Sequence, residues 1–176
     1  MTTSLRGRPP EGEYFPFYAG YIASVPEGDI VALLRSLGAE LNSALVKIPE
    51  SKGSHRYADD KWSIKVVLGH MIDAERIFSY RALRVARGDQ TPLPGFEEND
   101  YARTSGSDTR TVADLAAELA SVRESSARLF ESLPDEAWAQ RGTVNGGAVS
   151  VRALAYITAG HAKHHLNVLR ERYGVV

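Results

Sequence analysis

The chain has 176 residues, 43% of them apolar and 24% charged, with a formal charge of −1 at pH 7. That length carries one domain with a sizeable core, and near-neutrality leaves no net pull toward nucleic acid or an anionic membrane. Cysteine is absent, which excludes disulfides and thiolate ligands, so any metal must be held by nitrogen and oxygen.

Residues 1 to 28 predict an irregular arm on a single domain spanning 1–176. Pro9, Pro10, Pro16 and Pro26 interrupt it, and Tyr14, Phe15, Phe17, Tyr18 and Tyr21 make it too aromatic to float free. A strap over the rest of the chain is the expectation, with a homodimer contact as the alternative. The first residues carry no apolar signal core and no run reaches membrane-spanning length, so the expected setting is cytoplasmic.

Asp29 can cap a first helix whose apolar stripe is Ile30, Leu34, Leu37, Leu41, Ala44 and Ile48, stopped by Pro49. His55 falls in a polar loop, where a histidine is ordinarily solvated. A second helix is predicted from Ser63 to Gly88, with Ile64, Val67, Met71, Phe78, Leu83 and Val85 as core. Residues 89 to 110, broken by Pro92, Pro94, Gly95 and Gly106, read as neither helix nor strand. Such a long connection predicts a crossover, with the next helix parallel to the last, and its acidic stretch Phe96 to Tyr101 offers a rim. Thr111 opens a third helix along Val112, Leu115, Leu119, Val122, Leu129 and Leu133. After a turn that plugs Trp138 inward, residues 141 to 149 read as an open loop. Ser150 caps the last helix, where Leu154, Ile157, Thr158, His161, His165 and Val168 share a side. The fold class is all-α, a four-helix bundle.

Three of the five histidines lie within five residues, in Gly160-His161-Ala162-Lys163-His164-His165. On a helix His161 and His165 are one turn apart, about 6 Å along the axis, and His161 and His164 also share a face. Spacing leaves both pairs open. A further ligand must come from elsewhere, and His70 stands in the apolar run Val66 to Ile72, an expensive place for an imidazole that binds nothing. Ala74, one turn on, leaves room beside it, and Asp73 lies within reach behind it. Without Glu-x-x-His pairs or a Glu-x-x-x-His pattern, the di-iron and zincin classes drop out. What remains is a single divalent ion on three imidazoles, with positions left for water or substrate. Imidazole binds metal only when neutral, so affinity is expected to fall as pH drops through about 6.5.

The stretch Lys61 to Arg76, the segment Tyr80-Arg81-Ala82-Leu83 with the loop to Glu98, and the last-helix motif Gly160 to His165 together resemble the DinB-like superfamily, which includes the YfiT-type proteins. The resemblance covers about Asp29 to Arg172. It implies an up-down-down-up bundle holding a divalent metal, often nickel or zinc. Its ligand pattern, one histidine of the second helix and an H-x-x-x-H pair of the fourth, falls on His70, His161 and His165. His164 and Asp73 are then left to orient or pack against the ligands. Characterised members of the superfamily transfer or isomerise with low-molecular-weight thiols such as bacillithiol or mycothiol; others are named for metal-dependent hydrolysis or for induction by damage. An enzyme activating a thiol or water against a small-molecule substrate is the implied function. The alternative is a metal-stabilised bundle with a binding or stress-response role and no turnover.

Overall fold

Four side chains start the four long helices. Asp29 accepts from the amides of Val31 and Ala32, each at 3.0 Å, and opens α2 (Ile30–Leu45), which follows the short α1 (Ala19–Ser24) of the arm. Ser63 accepts from the Val66 amide at the start of α3 (Ile64–Ala86). After a short α4 (Glu98–Thr104), Thr111 does the same for α5 (Val112–Glu131). A hairpin, β1 (Arg141–Val144) and β2 (Gly147–Ser150), then hands the chain to Ser150, which caps α6 (Val151–Glu171). Each such cap is worth about 1 kcal/mol. These features come from a computed structural model that describes residues 5–176, and no helix among them is long and apolar enough to cross a membrane.

Helix directions follow from the order of the contacts. Glu50 joins Lys65 at the start of α3 to the Val112 amide at the start of α5. Further along, Glu75 meets Arg123 at 2.7 Å and Ser79 meets Ser126 at 2.8 Å. The residue numbers rise together, so α3 and α5 run the same way, joined by the crossover. Between α2 and α5 the numbers run oppositely. Arg35 reaches Glu124 and Glu131, while Leu41 and Leu45 share a groove with Ala116 and Leu119. Between α3 and α6 they also run oppositely, from the Trp62 carbonyl with the Tyr173 hydroxyl to His70 with His161.

The apolar stripes form two clusters. Ile30, Leu34, Phe78, Phe130, Trp138 and Tyr156 fill one end; Leu41, Leu68, Leu115, Leu119 and Leu166 fill the other. A buried polar layer divides them at mid-height, made of His70, Glu75, Arg123, Ser126 and His161. Trp138 is fully buried, as its turn predicted.

Several sequence expectations need correction. Residues 89 to 110 do contain a helix: the breakers flank residues 97 to 105 rather than fill them, and Glu97 accepts from the Asn99 amide as the cap of α4. Residues 141 to 149 are largely hairpin, not open loop. Asn145 and Gly146 have φ of 50° and 76°, the left-handed pair that a two-residue type I′ turn requires. Leu93 of the crossover pairs with this hairpin through its amide to the Thr143 carbonyl and its carbonyl to the Asn145 amide, both at 2.9 Å. Leu83 is exposed because the α3 stripe turns through Ala82 instead, which is fully buried. Arg123 and Glu75 occupy core positions that no apolar pattern marks.

The arm is a strap, and it carries α1 against α6. Its anchor is Glu13, whose carboxylate accepts from Ser150 Oγ at 2.8 Å, Arg152 Nε at 2.5 Å and Arg141 at 3.0 Å. The Arg152 hydrogen bond, against the opposing effect of burial, holds the Glu13 carboxyl below its ordinary range.

Candidate metal centre

His70 projects from α3 and His161 and His165 from α6, at the height where the two apolar clusters meet. The Nε2 atoms of His70 and His161 are 3.0 Å apart, and those of His161 and His165 are 3.2 Å apart. One nitrogen from each ring lies within 4.8 Å of the other two. Ligands with bonds of about 2.0–2.1 Å sit about 2.9 Å apart on octahedral neighbours and about 3.3 Å apart on a tetrahedron, so the two separations through His161 suit adjacent ligands of one divalent ion.

Burial is the main electrostatic effect. It pushes His70 down to about 4, with the neighbouring His164 adding to it. His161 and His165 are also driven well below the ordinary histidine value, first by burial and then by the neighbouring imidazoles. All three are neutral at pH 7, the form in which imidazole binds metal. His161 Nε2 faces two other ring nitrogens, and His165 Nδ1 is buried with no partner among the described residues. The donor set therefore fits a borderline divalent metal.

Aromatic rings enclose the cluster. Trp62 lies 4.8 Å from His70 between ring centres, while Phe78 and Tyr21 meet His161 edge-on at 5.4 and 5.6 Å. His70 and His161 form part of the wall of a cavity of about 220 Å³ lined also by Ala74, Arg81 and Glu98. His165 faces a second cavity of about 260 Å³ with Trp62, Asn99 and His164. The space expected beside Ala74 is present, and the crossover supplies rim residues to both cavities.

The remaining candidates are not part of the cluster, although the His164 ring lies 5.0 Å from that of His165. His164 is exposed and packs beside Tyr21, with ring centres 5.5 Å apart. Asp73 is half-buried near Arg76 and Glu118, with burial raising its pKa, and it makes no hydrogen bond to an imidazole. His55 is exposed, 6.1 Å from the Tyr173 ring. Sequence reasoning missed Arg81 and the role of Tyr21. The signal for Arg81 was present: it stands eleven residues after His70, about three turns, on the same helix face as His70 and Ala74. For Tyr21 no local signal existed beyond the aromatic density of the arm.

Residues 33–169 match the sequence model of the DinB superfamily. A Geobacillus thermodenitrificans (strain NG80-2) protein named "Putative metal-dependent hydrolase" is 27% identical over 150 residues, covering 82% of this chain and 84% of that protein. Among solved structures, YfiT from Bacillus subtilis, described as "a probable metal-dependent hydrolase with an unusual four-helix bundle topology", superimposes with a TM-score of 0.73 at 19% identity. The match spans 98% of this chain and 99% of that one. A mycothiol-dependent maleylpyruvate isomerase superimposes with a TM-score of 0.65 at 11% identity, over 78% of this chain and 58% of its own.

Proposed function

We propose, for a chain that belongs to the DinB superfamily, a metal-dependent enzyme in which His70, His161 and His165 hold one divalent ion, nickel or zinc, against a small-molecule substrate. The observation that carries this reading is the convergence of three buried, neutral imidazoles beside a cavity that Ala74 leaves open. When bound, the ion supplies the Lewis acidity that lets a thiol or a water give up its proton near neutral pH.

The chain's own residues bind, orient and exclude water. His70 and the α6 pair come from two rigid helices, so their separation is set by packing rather than by a loop. Trp62, Phe78 and Tyr21 wedge the imidazole rings and keep bulk water from their flanks. Asp73 and His164 lie at the margin, where His164 lines the second cavity.

The name of the Geobacillus relative supports water as the activated group, and the thiol dependence of the isomerase supports a low-molecular-weight thiol. A cytoplasmic setting, where such thiols are abundant, suits the second. The test is conjugation by nickel- and zinc-loaded protein of a thiol panel to a reactive aryl halide, beside hydrolysis of ester and amide substrates. Activity that disappears with a chelator and in His161→Ala supports the reading. Metal bound at full occupancy with neither activity would leave the non-catalytic bundle in its place. A homodimer through the exposed arm rings Phe15 and Phe17 belongs to the same proposal; sedimentation giving only a 19.2 kDa species removes it.

A further inference from the structure

Two arginines are buried in the described structure, and only one has a carboxylate. Arg123 is paired with Glu75 at 2.7 Å. Arg81, 4% exposed, makes no ion pair with any described residue, and Met1 to Ser4 contain no acidic side chain. One guanidinium nitrogen donates to the Pro94 carbonyl at 2.7 Å, the Tyr18 hydroxyl lies within hydrogen-bonding reach, and the Phe96 ring lies 5.8 Å from its charge. Those contacts fasten the crossover but supply no negative charge. Burying an unpaired cation is costly, so a protein that keeps one in a cavity wall has a use for a counter-charge there.

The same cavity is walled by His70 and His161. Arg81 lies about 16 Å further along the α3 axis than His70, and both line this one cavity, the cation at one end and the imidazoles at the other. At about 220 Å³ the space is smaller than the roughly 300–1,000 Å³ of sites for drug-sized ligands. Phe17, Tyr21, Phe78 and Phe96 give it flat apolar sides. Glu98 also lines it, without contacting Arg81, and its charge disfavours a doubly charged occupant.

We propose that Arg81 is the anion-binding residue of this cavity, and that the substrate is a small, flat organic acid whose single carboxylate docks on its guanidinium. The unsaturated or aryl body lies along the aromatic walls, with the opposite end toward His70 and His161. Only the word substrate rests on the metal-enzyme reading; anion binding does not.

The experiment is calorimetric titration of benzoate, benzyl alcohol and phenyl phosphate into the full chain, after chelator treatment and again after zinc loading. Benzoate is expected to bind the metal-free protein, to bind Arg81→Gln at least about tenfold more weakly, and to bind Glu98→Gln several-fold more tightly. Benzyl alcohol should not distinguish the variants. Equal benzoate affinity in wild type and Arg81→Gln overturns the proposal and leaves Arg81 as a fastener of the crossover. So does binding that requires zinc and ignores Arg81→Gln, and so does Arg81-dependent preference for phenyl phosphate. Should Arg81→Gln fail to fold, the exposed Glu98→Gln decides, and unchanged benzoate affinity there overturns it. Because the metal-free arm needs no ion, its failure leaves the metal reading standing, and loss of metal binding leaves the benzoate arm intact.

Discussion

A Cβ built on Gly160 would lie 2.2 Å from the Tyr21 carbonyl oxygen, so the glycine of the last-helix motif is where the strap touches α6. The clash is with backbone, which cannot rotate aside. This contact sets Tyr21 against His161, one residue along. Gly160→Ala should therefore lift α1 from α6 and cost about 1–3 kcal/mol, the usual range for overpacking. Limited proteolysis should cut within residues 1 to 28 faster than in wild type, alongside a lowered Tm. Unchanged protection would mean that Glu13, the Lys163 bond to the Ser24 carbonyl and the buried Ile22 and Val25 hold the arm without this contact.

Metal content should follow the cluster. Elemental analysis of His70→Ala, His161→Ala and His165→Ala after loading should show loss of tight binding, because two imidazoles seldom hold a divalent ion against water. His164→Ala should keep it. Loss in His164→Ala with retention in His165→Ala would reassign the pair.

Acid should destabilise the metal-free protein over a defined window. His70 has a folded value of about 4 against about 6.5 unfolded. The unfolded chain thus takes up the proton first, and stability present above about pH 6.5 is lost as pH falls toward 4. That single group is worth about 3 kcal/mol across the window. His161 and His165, also lowered, act in the same direction. Proton competition for the metal likewise begins lower than the ordinary histidine value expected from sequence. Urea melts of chelated protein at about pH 7.5 and about pH 5 check the sign. A midpoint that does not fall at the lower pH contradicts burial of the neutral rings.

The Glu75–Arg123 pair should behave as a unit. Both side chains are almost wholly buried, and Glu75 Oε1 and Arg123 Nε and Nη1 lack partners among the described residues. Arg123→Met alone should cost about 3–5 kcal/mol by stranding the carboxylate, while Arg123→Met with Glu75→Met should recover most of it. Denaturant melts of the two singles and the double measure the coupling; simple additivity would contradict it.

The chain itself determined what neighbours along it decide. Asp29, Ser63, Thr111 and Ser150 each cap a helix because their oxygens reach amides two or three residues on. The stripe from Ile30 to Ile48 buries one face because the helix repeats every 3.6 residues. By the same local rule Asn145-Gly146 encoded a hairpin, although the flanking strands were too short to stand out by alternation. Spacing also put His161 on a face with both His164 and His165, and the resemblance to known motifs favoured His165. Only the packed bundle put His165, and not His164, into the cluster with His70, since which side of α6 meets α3 depends on how the helices are rotated against each other. Sequence distance conceals the rest. His70 and His161 are 91 residues apart, and Arg81 is recognisable as a cation without a carboxylate only once every acid that might have met it has been carried elsewhere by the fold.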